Sequence, residues 1–149
     1  MLRLPKKTLY ALEAVVDIAY NGRPEPVQSK EITARQGIPQ RYLEPVMQQL
    51  VRAGVLRGVR GPRGGYRLAR ERRRISVGEI VRIVGDMNGA DDDDAAGSAL
   101  GRLVVRPLWR ELRDELIRQL EAVTIEDLCK RAEAAGAARE QREPEDFSI

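Results

Sequence analysis

Residues 59–68 read VRGPRGGYRL and place three glycines, one proline and three arginines in ten positions. An arginine side chain ends in a planar fork of donors that matches the oxygens of a phosphate or carboxylate. The chemistry of the stretch is therefore anion recognition. Gly61-Pro62-Arg63-Gly64 reads as a tight turn: Pro62 presets the second turn position and Gly64 suits the exit. Gly65 lets the backbone turn again or lie close against another surface. Val55-Leu56 and Tyr66-Arg67-Leu68, on either side, read as two short strands. The whole is a stiff β-hairpin with Arg60 and Arg63 at its tip, shaped to enter a groove in something anionic. Taken alone, it reads equally as a solvated surface hairpin.

Other residue types narrow the chemistry. The chain has no histidine, which removes the usual general base and the commonest metal ligand. Its one cysteine, Cys129, excludes an internal disulfide and fits a cytosolic location. No phosphate-cradling motif accompanies these absences, so an enzyme has little support. Asp91–Asp94 offer oxygen ligands for a divalent cation or, more simply, form a flexible acidic loop. Cys129, flanked by Leu128 and Lys130 on a partly buried helix position, reads as inert packing or as a redox switch. Charge is split along the chain. Residues 1–75 hold 16 Lys and Arg against 6 Asp and Glu, a balance of +10, and residues 76–149 hold 10 against 17, a balance of −7. Eight arginines fall between Gly54 and Arg74, against the single acid Glu71. Such a basic half attracts polyanions by neutralising phosphates, and the acidic half suits dimerisation, sensing or solubility.

The elements that must hold these residues follow from periodicity. Near the N-terminus, Leu9, Leu12, Val16 and Ala19 recur at helical spacing and Asn21-Gly22-Arg23-Pro24 ends the helix. Glu13 and Asp17 interrupt the apolar stretch, so it reads as an amphipathic helix and not as a signal peptide or membrane span. Lys30 to Gln36 forms a short helix with Ile32 inward, closed by Gly37. A second helix follows Pro39, with Leu43, Val46, Met47, Leu50 and Val51 as its apolar stripe and Pro45 as a source of slight bending. Two helices joined by Gly37-Ile38-Pro39 make a helix-turn-helix, and the hairpin after it makes a winged helix. Gln40, Arg41 and Glu44 lie off the stripe in the first turn and a half, where side chains reach base edges or simply meet solvent. Tyr42 reads as a phosphate contact or as the edge of the core.

Further on, Ser76-Val77-Gly78-Glu79 has the capping-box pattern of a helix that buries Ile80, Val81 and Val84. Residues 85–101 read as a loop around the four aspartates. A long helix then carries Leu103, Val104, Leu108, Leu112, Leu116, Leu120 and Val123, widened by Trp109 and Ile117. So wide a stripe suggests a dimer interface, with packing inside the same chain as the alternative. Thr124-Ile125-Glu126-Asp127 opens a last helix, and the polar residues after Gly136 are expected to fray. The expected fold is mainly α with a small β-hairpin wing. It divides into a DNA-binding part over 1–85, an acidic loop over 86–101, a dimerisation helix and C-terminal helix over 102–137, and a flexible tail over 138–149.

The segments TLYALEAVVDIA, KEITARQGIPQRYLEPVMQQLVRAGVL, VRGPRGGYRLAR, ISVGEIVRIV and PLWRELRDELIRQLEAVTIEDL together resemble the Rrf-two family of bacterial transcription regulators, of the IscR/NsrR type. The resemblance covers roughly residues 2–130. It implies a homodimer on a pseudo-palindromic operator, with a recognition helix in the major groove and the wing in the minor groove. Carried over by position, Gln40, Arg41, Tyr42 and Glu44 fall on the recognition helix, and Arg60, Gly61, Pro62 and Arg63 fall on the wing. Tyr10, Gln28 and Ser29 resemble phosphate contacts, and Leu108, Trp109, Leu112, Leu116 and Leu120 fall on the dimerisation helix. A narrow minor groove draws in arginine through its deeper negative potential, which accounts for a thin glycine-proline tip bearing Arg60 and Arg63.

Relatives that sense iron, nitric oxide or redox state hold an iron–sulfur cluster on three cysteines, with a histidine in one subgroup. The corresponding positions here are Asp91, Gly97, Leu103 and Arg106. Iron–sulfur clusters require thiolates, so none is expected, and the sequence implies no cofactor. The function expected is a repressor acting without a cluster, partnered by operator DNA, by a second copy of itself and by an unidentified effector or protein. The alternative is a protein–protein adaptor on a winged-helix scaffold, its basic half meeting an acidic partner. The arginine-bearing tip and the polar helix face favour DNA.

Overall fold

A computed structural model describes residues 4–22, 24–85 and 97–138; Asp91–Asp94 and the tail beyond residue 138 lie outside the described residues. Its elements run α1 (Lys6–Tyr20), α2 (Ser29–Gln36), α3 (Gln40–Arg52), β1 (Leu56–Val59), β2 (Gly65–Leu68), a 3-10 turn (Arg72–Arg74), α4 (Val77–Val84), a π-helical turn (Gly101–Val105), α5 (Arg106–Glu121) and α6 (Ile125–Ala134). The fold is mainly α with a two-stranded antiparallel hairpin, as expected.

The core is built around α1, which touches α2, α3, α4, α6 and β2. Small side chains make that crowding possible: Ala11 and Ala14 are fully buried, beside Val15 and Ile18. The stripe expected on α1 was partly misplaced. Leu9 is 43% exposed, and Leu12 and Val16 sit at the edge of the core. Alanines at the helix-crossing points let the other helices approach, so the buried face centres on them and not on the larger residues.

Asp17, one of the two acids that interrupt the apolar stretch, is buried. Its carboxylate accepts from Arg35 Nε at 2.9 Å, Arg35 Nη2 at 2.8 Å and Gln36 Nε2 at 2.7 Å. The bidentate fork locks the end of α2 to α1, at the brink of the turn that leads into α3. Gly37 then takes φ 67 and Ile38 buries its side chain, so α3 departs in a fixed direction. Along α3 most of the expected stripe is realised: Leu43, Val46, Met47 and Leu50 are completely buried, while Val51 is half-buried at the edge of the core.

The end of α3 aims the hairpin. Gly54 adopts φ 81, its N–H donates to Val51 O at 3.1 Å, and the Val55 N–H reaches Leu50 O at 3.0 Å. This pair of bonds is a Schellman motif, and its apolar contact joins the fully buried Leu50 and Val55. The strand begins at the next residue. Both strands are longer than the sequence suggested, pairing Leu56 with Leu68 through Val59 with Gly65.

The second half returns to the same core. The Ser76 hydroxyl accepts from the Glu79 N–H at 3.0 Å and caps α4, but the Glu79 carboxylate accepts from Arg70 Nη2 at 2.6 Å. At α6 the reciprocal box is complete between Thr124 and Asp127, and those hydrogen bonds hold the Asp127 carboxyl below its ordinary range. Backbone bonds from Val77 to Val123 and from Ile125 to Ile75 stitch the starts of α4 and α6 together. Ile125 and Cys129 enter the main core, so the thiol is fully buried where a partly buried one was expected.

The region read as a loop over 85–101 ends earlier than expected. Helix begins at residue 99, Ser98 Oγ accepts from the Gly101 N–H at 3.1 Å, and a π-helical turn leads into α5. On α5 only Ile117 is fully buried, against Val77 and Val81. Leu108, Trp109, Leu112 and Leu116 are 54, 51, 50 and 45% exposed. Leu120, expected on the same face, is half-buried against α4 of its own chain. Residues four apart advance about 40° around an α-helix, so Leu120 stands about 120° from Leu108.

Asp17→Ala is expected to destabilise the protein by roughly 3 kcal/mol, because it strands the guanidinium of Arg35 and the amide of Gln36. Urea unfolding measures this. A loss under about 1 kcal/mol would mean that water takes over the carboxylate's role.

Candidate nucleic-acid interface

The start of α3 gathers residues from three helices. The Glu44 carboxylate oxygen Oε1 accepts from Gln40 Nε2 at 3.0 Å and from Ser29 Oγ at 3.3 Å. Across the same turn, the Arg41 guanidinium lies 4.8 Å from the centre of the Tyr42 ring, and Nη2 donates to the Tyr42 hydroxyl at 3.3 Å. The Tyr42 ring meets the Tyr10 ring of α1 at 5.9 Å and 36°. Stacked on an aromatic face, a guanidinium is held by about 0.5–1 kcal/mol at an exposed site. Tyr42 is 44% exposed, so it is not a core residue. Six of the residues singled out from sequence, Tyr10, Ser29, Gln40, Arg41, Tyr42 and Glu44, are thus in contact with one another in two small groups.

Gln28 has a different position. Its backbone N–H donates to Glu31 Oε2 at 2.8 Å, so it opens α2 as a cap.

Tyr66 was missed by the sequence reading, which used it only to mark a strand. Its hydroxyl sits among Ser29, Gln48 and Glu44. Burial, reinforced by the Glu44 carboxylate, pushes the phenol up from its ordinary pKa, while side-chain hydrogen bonds with Ser29 and Gln48 oppose that rise. Through its backbone the same residue pairs with Val27: the Val27 N–H reaches Tyr66 O at 2.9 Å and the Tyr66 N–H reaches Val27 O at 2.8 Å. One residue of β2 therefore ties the wing to the helix-turn-helix. Gly65 makes the pairing possible, because a Cβ there would collide with the Val27 carbonyl. That is the close approach anticipated for it.

The tip is the expected turn. The Gly64 N–H donates to Gly61 O at 2.9 Å, with Pro62 and Arg63 between them and Gly61 at φ 111. Arg60, Gly61, Pro62 and Arg63 are all exposed. The tip and the α3 group are linked through β2.

The eight arginines of the basic segment fall into two sets. Arg70 pairs with Glu79, Arg72 with Glu126, and both Arg73 and Arg74 with Glu71. These four hold the polypeptide behind the wing. Among the described residues, Arg57, Arg60, Arg63 and Arg67 of the hairpin have no ion-pair partner, and all four are exposed. Arg57 and Arg67 stand directly opposite each other in the strand register.

A family model described as "Rrf2: Iron-dependent Transcriptional regulator" matches residues 4–131. The chain is similar to the HTH-type transcriptional regulator IscR of Cronobacter sakazakii, at 34% identity over 142 residues that make up 94% of this chain and 88% of the relative. Among solved structures it is similar to T. potens IscR, with a TM-score of 0.75, 33% identity and 93% of each chain covered. It is also similar to CymR, the global cysteine regulator of B. subtilis, with a TM-score of 0.70, 28% identity, and 88% of this chain and 98% of that one covered.

Gly65→Ala is expected to break the Val27–Tyr66 pairing at a cost of about 1–3 kcal/mol. Hydrogen exchange checks it: the Val27 and Tyr66 amides should exchange faster while those of α4 stay protected. Unchanged protection at Tyr66 would show that the wing is held by other means.

Proposed function

The chain belongs to the Rrf2 family of transcriptional regulators, and from that premise we propose that it is a cytoplasmic, homodimeric repressor that binds a pseudo-palindromic operator without an iron–sulfur cluster. The observation that carries the reading is the pair of exposed arginines, Arg60 and Arg63, on a proline-glycine turn tied by Tyr66 to the polar start of α3. In this reading residues 1–85 bind DNA and residues 102–137 dimerise and cap. Gln40, Arg41 and Glu44 reach base edges in the major groove, where arginine pairs with guanine and glutamine with adenine. Tyr10, Gln28, Ser29 and Tyr42 contact phosphates. Arg60 and Arg63, with Gly61 and Pro62 shaping the tip, enter the adjacent minor groove. Pre-formed bonds to Gln40 and Ser29 hold Glu44, so little side-chain freedom is lost on binding.

The residues do not fit an iron–sulfur cluster. Clusters are held by thiolates, the chain has one cysteine and no histidine, and that cysteine is 2% exposed in the core. The signal would come from a small molecule or a protein partner. Dimerisation is supported by Leu108, Trp109, Leu112 and Leu116, an apolar face on α5 that the chain itself leaves exposed.

Fluorescence anisotropy tests the DNA reading, using a duplex from upstream of the protein's own gene against a scrambled duplex at two salt concentrations. Selective binding is expected. Arg60→Ala and Arg63→Ala should weaken it with little change in thermal stability, and Arg41→Ala should cost about 1–3 kcal/mol and relax specificity at one position. Equal weakening on both duplexes by Arg41→Ala would instead make it a phosphate contact. Leu112→Glu is expected to give a folded monomer by sedimentation and to lower operator affinity. A wild-type chain that sediments as a monomer at micromolar concentration would overturn the dimer.

A further inference from the structure

The Arg57–Arg67 pair has no account in the fold. Like charges directly opposite across two strands destabilise a hairpin, and their Cβ atoms stand only about 4.5–5.5 Å apart. Neither has an ion-pair partner among the described residues, although the next four arginines, Arg70, Arg72, Arg73 and Arg74, all do. The strand alternation places the pair on the face opposite Tyr66 and Leu68, which turn towards the core. The hairpin cannot easily splay to relieve the repulsion, because β2 is hydrogen-bonded to β1 on one edge and to Val27 on the other. Two arginine side chains thus leave opposed strand positions on the same exposed face of the hairpin.

We propose that Arg57 and Arg67 form a clamp for a single DNA backbone phosphate, at the rim of the groove that the wing tip enters. The inference rests on the DNA-binding reading and adds a site to it. Position supports a phosphate over a base. Arg57 precedes Arg60 by three strand residues, about 10 Å at roughly 3.3 Å per residue. A minor groove is about 7.5 Å deep. With the tip on the groove floor, the pair stands level with the phosphates that border it. A phosphate between the two guanidinium groups accepts from both forks and cancels the repulsion they carry in the free protein. The pair contributes affinity and register and no sequence preference.

The test measures binding of wild type, Arg57→Gln, Arg67→Gln and the double variant to the upstream duplex and its scrambled counterpart over a salt series. One lost phosphate contact flattens the slope of log K against log salt by about 0.9. The double variant should flatten the slope by that one step on both duplexes alike, and each single variant by less, because the remaining arginine still neutralises the phosphate. The affinity loss of the double variant should differ from the product of the two singles, because both residues serve one phosphate. Arg57→Lys should keep the slope and lose part of the affinity, since it keeps the charge without the fork. Melting temperatures of the free Gln variants should equal or exceed that of wild type. Unchanged affinity and slope in the Gln variants, with wild type and Arg63→Ala behaving as expected above, would remove the clamp and leave the DNA reading intact. A double variant flattened by two steps would replace the clamp with two separate contacts. Wild type that binds neither duplex even at low salt would remove both the clamp and the DNA reading.

Discussion

A carboxylate with no access to water sets the orientation of the helix-turn-helix and its hairpin. Asp17 lies on α1, the helix that touches most of the others, and it receives both prongs of Arg35 and the amide of Gln36. Burying such a charge is tolerable only when its partners are present and well aligned. The fold therefore admits one placement of the end of α2. From that point the tight turn at Gly37, the buried stripe of α3 and the Schellman motif at Gly54 pass the orientation forward without slack. The exposed start of α3 and the hairpin inherit their relative geometry from a contact that neither of them makes.

Tyr66 closes this arrangement from the other side. A two-stranded ribbon alone is marginal; Leu56 and Leu68 pack the base of the hairpin into the core, and Tyr66 extends that attachment along β2. Its backbone bonds to Val27 and its hydroxyl among Ser29, Gln48 and Glu44 turn the ribbon into part of the same rigid body. The polar residues of α3 are organised by the same contacts. The side chains proposed for recognition also brace one another, and Glu44, bonded to Gln40 and Ser29, is the clearest case.

Much of this was legible in the amino-acid order. The two helices and their turn, the proline-glycine tip, the buried stripe of α3 and the caps of α4 and α6 are local, each written in residues a few positions apart. What was not legible depends on distant partners. Arg35 and Asp17 are eighteen positions apart, and nothing near either announces the other. Leu9 is hydrophobic and helical in phase, yet alanines take the crossing points and leave it outside. The eight arginines read as one basic run, and only the acids of α4 and α6 and Glu71 divide them into a structural set and an unpaired one. At the candidate interface, contacts among Tyr10, Tyr42 and Arg41 join α1 to α3 in a way that position along the chain does not reveal.

The π-helical turn at Gly101–Val105 carries a consequence for how the long helix can change by insertion and deletion. The N–H of Arg106 bonds to the carbonyl of Gly101, one residue further back than in an α-helix. The turn thus absorbs a supernumerary residue, and it narrows the offset of about 140° that a regular helix would set between positions five apart. Loss of one residue inside that turn would restore α-helical spacing and leave the outer face of the helix in phase. Elsewhere in α5 a one-residue deletion would rotate everything beyond it by about 100°. The entrance to this helix is the place where its length can drift while its face is preserved.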